Sequence, residues 1–178
     1  MHEIEQEIFD AMLRSLTEFK ASNPTETIYA VALVQSASGR WVHCAIATEE
    51  RLETCAQGYN AKSSLEMVKT WLRWANPDDG WFQQTFDHFG QSNHLLGAAI
   101  DCEKLEAYGD DVIELNCRVL GRLRDEDALK DSVVVGLTHG DDPEAFVFYA
   151  SQLNPKPLVE RLKHEFEAGR AVEAEIER

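Results

Sequence analysis

His139, Asp141 and Asp142 stand within four residues of one another and carry side chains that could do acid–base or metal chemistry. Imidazole and carboxylate groups transfer protons in enzymes and bind metal ions such as zinc. The same segment, from His139 to Pro143, is also typical of a polar hairpin turn, because glycine and aspartate tolerate the backbone angles of turns. We favour the turn. The alternative is an enzyme of unrecognised class that uses His139, Asp141 or His43.

The other histidines and the cysteines do not predict a metal site. His88 and His94 are six residues apart, whereas two ligands on one helical face need a spacing of about four. The four cysteines form no C-x-x-C pair, and we expect reduced thiols. Motifs of nucleotide-binding loops, serine hydrolases and zinc peptidases are also absent. We therefore predict neither a metal nor a cofactor, and we favour a protein that is not an enzyme.

A mixture of tryptophans and aspartates marks the segment 74–81. It would place aromatic rings beside carboxylates at the start of a predicted helix. Core packing is the favoured explanation for the aromatic residues of this region. The alternative is a recognition surface, since aromatic anchors dominate interface energies and charge steers the encounter. The candidate binding residues are Trp74, Asp78, Asp79, Trp81, Asp141 and Asp142.

The charge balance limits the partners that the protein can have. The chain has 32 acidic and 17 basic residues and a formal net charge of −15 at pH 7. Binding to nucleic acid or to an anionic membrane surface needs clustered lysine and arginine, so we predict neither. A basic protein remains a suitable partner. The competing explanation is that like charge only keeps the molecules apart in solution.

Apolar residues recur at helix or strand spacing along most of the chain. The clearest helix start is Asn76-Pro77-Asp78-Asp79, and we expect this helix to carry Phe82, Phe86 and Phe89. Segment 65–74 fits both spacings and is assigned as a strand. The other predicted helices span residues 4–19, 49–58, 92–100, 110–123 and 157–169, and the other strands 27–35, 40–48, 132–138 and 144–150.

These elements predict an α+β fold: a mostly antiparallel sheet of about five strands, from two hairpins plus one strand, covered by helices. The length of 178 residues fits a single domain, 1–178, in which the acidic tail 170–178 frays. The first residues lack the features of a secretory signal, and the longest apolar run, 28–34, is far shorter than the roughly 20 residues of a membrane span. We expect a soluble protein of the cytoplasm.

Two short stretches carry a resemblance to known sequences. Residues 73–81, Arg-Trp-Ala-Asn-Pro-Asp-Asp-Gly-Trp, and residues 151–155, Ser-Gln-Leu-Asn-Pro, look like the pattern of an uncharacterised bacterial family of small domains of unknown function. The resemblance covers most of the chain and implies no catalytic residues. Some small acidic bacterial domains of this kind are immunity proteins that neutralise toxins. The resulting hypothesis is an acidic protein-binding domain of the cytoplasm, of the immunity type, that inhibits a basic partner protein.

Overall fold

The computed structural model describes residues 1–59, 63–75, 82–106, 109–126, 128–139 and 142–176. Helices and strands account for most of these residues, and the α+β class is confirmed. The elements are α1 (His2–Ser22), β1 (Ile28–Gln35), β2 (Val42–Thr48), α2 (Glu49–Gly58), α3 (Leu65–Leu72), β3 (Phe82–Thr85), α4 (Gly90–Asp101), α5 (Asp110–Asp125), β4 (Val134–His139), α6 (Pro143–Leu153) and α7 (Lys156–Ile176).

The described strands form one mixed sheet of four strands in the order β3-β2-β1-β4. The first predicted hairpin is confirmed, since β1 and β2 pair in antiparallel fashion from Gln35↔Val42 back to Ile28↔Thr48. β3 pairs with β2 in antiparallel fashion, and β4 pairs with β1 in parallel. The expected sheet of five mostly antiparallel strands is therefore not confirmed, because the described residues form a mixed sheet of four strands.

Helices cover both faces of the sheet, so the two central strands are buried on both sides. Alternate residues of β1 enter different apolar clusters: Val31 and Leu33 pack towards α1, α4 and α5, whereas Ala30 and Ala32 pack towards α2, α3, α6 and α7. This alternation follows from the period of two in an extended chain. It explains why residues 28–34 read as one continuous apolar run.

The predicted strand over 65–74 is wrong, because residues 65–72 form α3. The side chain of Ser64 caps this helix by accepting a hydrogen bond from the backbone N–H of Met67 at 3.4 Å. Val68 and Leu72 are the buried residues of the helix, and they are four positions apart. The apparent alternation at 68, 70, 72 and 74 was therefore an accident of composition on a helical stripe.

The second predicted hairpin is also wrong, because residues 143–153 form α6 rather than a strand. Asp142 is its N-cap and accepts a hydrogen bond from the backbone N–H of Glu144 at 2.9 Å, and Pro143 opens its first turn. Phe146 and Ala150 are buried one turn apart. Since residues 143–153 are helical and pack against the sheet, they give β4 no hairpin partner, and β4 pairs with β1 in parallel.

The helix predicted to begin at Asn76 has a mixed outcome. Residues 76–81 lie outside the described part of the chain, so its start is not described. The continuation is wrong, because residues 82–85 form β3, Phe86 is 52% exposed and Phe89 is buried just before α4. α4 begins at Gly90, slightly before the predicted Ser92 or Asn93.

The last helix is longer than predicted, because α7 continues past Gly169 to Ile176. Gly169 is needed for close packing rather than for a helix end: a Cβ at this position would lie 3.0 Å from the carbonyl oxygen of Thr70 in α3. In the described part of the chain, no helix has the length and apolar character that crossing a membrane requires.

Two asparagine side chains form hydrogen bonds with strand backbone groups that no neighbouring strand pairs. Asn154, just after α6, accepts a hydrogen bond from the backbone N–H of Val135 at 3.0 Å and donates one to its carbonyl at 2.6 Å. Asn93 of α4 makes the equivalent pair with Val42, at 2.8 and 3.1 Å. Asn154 thus satisfies backbone groups on the outer edge of β4, and Asn93 satisfies those of β2 just beyond the end of its pairing with β3.

Candidate functional site

At one end of the sheet, β2 begins and the other three described strands end. Gln35 at the end of β1 pairs with Val42 at the start of β2 and with His139 at the end of β4. Thr85 at the end of β3 pairs with Cys44 nearby. We refer to this end, with the turn 36–41, the turn 86–89, the α4–α5 junction and Asp142, as the hairpin end.

At the hairpin end, the junction between α4 and α5 packs against the β1–β2 turn. Arg40 Nη2 lies 2.5 Å from Asp101 Oδ1 at the end of α4. This guanidinium holds the pKa of Asp101 below its usual value. Gly39 adopts a left-handed backbone with φ of 73°, and a Cβ there would lie 3.2 Å from Val112 in α5. The turn is therefore packed tightly beside the segment 101–111.

Carboxylates dominate this junction. Residues 101–111 contain five acidic residues and one lysine, Lys104, and all of these side chains are exposed. Asp87, in the turn after β3, and Asp142, before α6, are exposed at the same end. Like charges gathered on one surface produce a field that attracts cations and basic proteins.

Two exposed aromatic rings stand among these carboxylates. Trp41 is 45% exposed and Phe86 is 52% exposed, although both are large and apolar. The imidazole of His43, which is 2% exposed, stacks on both rings, with centroids 5.5 Å from Trp41 and 4.1 Å from Phe86. The stacking holds the exposed rings in fixed positions, as a preorganised contact surface requires.

The described histidine and cysteine side chains near this end form neither a metal site nor an activated thiol. Among the residues that the structure describes, no group of three histidine, cysteine, aspartate or glutamate side chains could hold a metal ion. Cys44 is fully buried, and burial raises the pKa of its thiol to about 12. His43 and Cys44 point to opposite faces of β2, as expected for neighbours in a strand. The described groups therefore do not assemble an activated nucleophile here.

The predicted binding residues have different surroundings. Trp74 is 5% exposed: it donates a hydrogen bond from Nε1 to Glu165 at 2.9 Å and stacks on Phe146, so its ring belongs to the core. Asp142 lies at the hairpin end and caps α6. The remaining candidates, Asp78, Asp79, Trp81 and Asp141, lie outside the described residues, as does Gly140 beside His139.

Sequence reasoning missed Trp41 and Phe86. One signal was present for Trp41: it follows a turn and precedes a strand whose residues alternate between two buried faces, a position where a large aromatic residue has little core to enter. Phe86 was assigned to the apolar face of a helix, and the strand at β3 removed that face. Its exposure depends on tertiary structure.

Away from the hairpin end, a concave region of about 390 Å³ lies between β1, α3 and α7. Arg73 donates two hydrogen bonds to Glu49, at 2.8 and 2.6 Å, and its guanidinium lies 4.7 Å from the ring centroid of Tyr29. Burial raises the pKa of Tyr29. Arg161 faces Glu165 at 3.8 Å. Arg73 thus joins the end of α3 to α2, and Arg161 lies beside Glu165 within α7, so each arginine already has a carboxylate partner.

The chain belongs to a family whose only description is a domain of unknown function, DUF4303, and the family model matches residues 8–155. The expected membership of a family of uncharacterised domains is thereby confirmed. The match begins inside α1 and ends just after Asn154, so α7 lies beyond it. No curated protein sequence and no solved structure matches the chain.

Proposed function

We propose that this domain binds a more basic protein through the hairpin end of its sheet. The observation that carries the proposal is the position of Trp41 and Phe86, two exposed aromatic rings held among exposed carboxylates. Large aromatic residues such as tryptophan are enriched among the residues that dominate binding energies. A net charge of −15 disfavours an acidic partner and favours a basic one.

The two kinds of side chain have separate tasks in this proposal. The carboxylates of the segment 101–111, Asp87 and Asp142 attract the partner over roughly one Debye length, about 8 Å at physiological salt. The aromatic rings then lose water against the partner and provide most of the affinity. Association should therefore slow as salt rises, whereas dissociation depends mainly on Trp41 and Phe86.

The more specific form of the proposal is an immunity-type inhibitor that acts in the bacterial cytoplasm. A basic toxin that acts on nucleic acid would carry a cationic surface, and an acidic protein could cover that surface in place of the phosphates. The acidic composition supports this form. The analogy with small acidic immunity domains adds to it.

Matched charge variants test the proposal. One variant carries Asp87→Asn, Glu103→Gln and Glu106→Gln at the hairpin end. The control carries Asp125→Asn, Asp131→Asn and Glu160→Gln, three exposed acids on elements at the opposite end. Both lower the net negative charge by three. Tagged proteins are used to capture partners from the native cell at two salt concentrations, and retained proteins are identified by mass spectrometry.

The proposal predicts one basic protein that the wild type and the control retain at low salt and the hairpin-end variant loses. Trp41→Ala should weaken the purified complex by about 30-fold, the effect of one hot spot of ~2 kcal/mol. Equal capture by both charge variants would disprove the assignment to the hairpin end. For the immunity form, co-expression should rescue cells from the captured protein, and continued toxicity would remove it.

A further inference from the structure

A cleft of about 250 Å³ lies between α1 and β3 and continues to the turn after β3. Its walls include Ser15 and Glu18 from α1, and Phe86, Asp87 and His88 from the turn. Phe86 belongs both to this cleft and to the hairpin end. The described lining contains two acidic residues and neither lysine nor arginine, so the cleft has an acidic mouth.

The hydroxyl group of Ser15 distinguishes this cleft from an ordinary acidic surface. Ser15 is 2% exposed, and its Oγ has no hydrogen-bond partner among the described residues. A serine inside a helix usually points to solvent or bonds to the carbonyl one turn earlier. Buried polar groups almost always have a partner, and an unsatisfied one indicates a missing water, ion or ligand. The floor of the cleft therefore offers an unused hydrogen-bonding group.

The mouth of the cleft carries negative charge. Glu18 Oε2 lies 2.9 Å from His88 Nε2, and the side chain of Glu18 is 69% exposed. A carboxylate has two oxygens and about four acceptor sites, so Glu18 can accept a hydrogen bond from a further donor as well. Asp87 is exposed in the same lining. Two carboxylates near an unpaired hydroxyl form a favourable environment for a cation that carries several donors.

We infer that the α1–β3 cleft binds an arginine side chain of the basic partner. A guanidinium group has five donors and no acceptor, which matches a cleft that presents the oxygens of Ser15, Glu18 and Asp87. Its planar fork can donate to two of these oxygens at once, which the compact ammonium group of lysine does less well. The inference rests on the proposed function, since it names the side chain by which the same partner is recognised.

A small probe tests the cleft without the partner. N-acetyl-arginine amide is titrated into the ¹⁵N-labelled protein, and the isosteric citrulline derivative, which is uncharged, serves as the ligand control. The expected result is saturable shifts of the backbone amides at Ser15 and 86–88 with the arginine derivative only. Glu18→Gln should weaken this binding about tenfold, as loss of one charge-assisted hydrogen bond would.

Two further variants separate the cleft from general charge effects. Glu3→Gln removes an exposed carboxylate at the other end of α1 and should leave the affinity within about twofold, because screened charges at that distance act weakly. Ser15→Ala should weaken binding without lowering the melting temperature, since the hydroxyl has no partner to lose. A hydroxyl needed only for folding would show the opposite pattern and would overturn the inference.

The outcomes also distinguish this inference from the proposed function. Equal binding of the citrulline derivative, or equal effects of Glu18→Gln and Glu3→Gln, would overturn the arginine site. The proposed function would then still stand or fall on the hairpin-end variants. Specific binding of the arginine probe with no partner lost on hairpin-end neutralisation would support the cleft and disprove the wider proposal.

Discussion

The side chain of Asn154 is expected to contribute more to stability than its position after a helix suggests. Its amide makes two hydrogen bonds with Val135, donates a third to the carbonyl of Ala150 at 2.7 Å, and accepts a fourth from Arg124 at 2.8 Å. A net hydrogen bond contributes ~1 kcal/mol, and the side chain is only half-buried, so Asn154→Ala should cost about 3 kcal/mol.

Urea denaturation followed by circular dichroism measures this change, with Gln152→Ala as the control, since Gln152 is an exposed amide on the same helix. For a protein of this size, the loss corresponds to a decrease of about 6–12 °C in melting temperature. Asn154→Asp keeps both acceptor bonds but turns the two donor contacts into repulsions, and should also destabilise. A loss below ~0.5 kcal/mol for Asn154→Ala would refute the claim that this amide closes the outer side of β4.

Three further predictions follow from buried or hydrogen-bonded groups. Gly136→Ala should destabilise by about 1–3 kcal/mol, because the new Cβ would lie 2.4 Å from the ring of Phe146; urea unfolding measures this, and an additional Phe146→Leu exchange should restore part of the loss. Cys102 is exposed and should react with a thiol reagent in the native protein, whereas Cys44, with its pKa of about 12, should react only after unfolding; peptide mapping that finds Cys44 labelled first would contradict the buried position. Burial alone would raise the pKa of Glu50, but its carboxylate accepts hydrogen bonds from the backbone N–H and the hydroxyl of Thr27, and these lower the pKa below its ordinary value of 4.5. Glu50 therefore stabilises the fold above that pH and loses this contribution in acid. Wild type and Glu50→Gln should accordingly differ in unfolding free energy at pH 7 and converge near pH 2, and a constant difference would exclude this role.

Local signals in the sequence predicted the elements that depend on neighbouring residues. Thr48 followed by two glutamates predicted the start of α2, and its hydroxyl does accept a hydrogen bond from the backbone of Arg51 at 3.3 Å. The turn residues 36–39 predicted the first hairpin, which the antiparallel pairing of β1 with β2 confirms. Asp142-Pro143 carried the same kind of capping signal for α6, but the aromatic residues that follow favoured a strand and outweighed it.

Properties that depend on distant parts of the chain were not predictable in this way. The parallel pairing of β4 with β1 joins residues that no local pattern connects. The acidic composition is the basis for expecting an acidic binding surface, which stays a prediction, whereas the location proposed for that surface depends on four strand ends meeting at one side of the sheet. Trp41 and Phe86 come together only through the pairing of β2 with β3, which places both beside His43.

The central place of β1 has a consequence for biosynthesis. β1 leaves the ribosome before β4, yet β4 is one of its two neighbours, and Ala30 pairs with Val134 more than 100 residues later. At roughly 5–20 residues per second, translation leaves that side of β1 open for about 5–20 s. During this interval the backbone N–H and C=O groups on that side of β1 have no strand to pair with, so the nascent chain is exposed to edge-to-edge association with other chains.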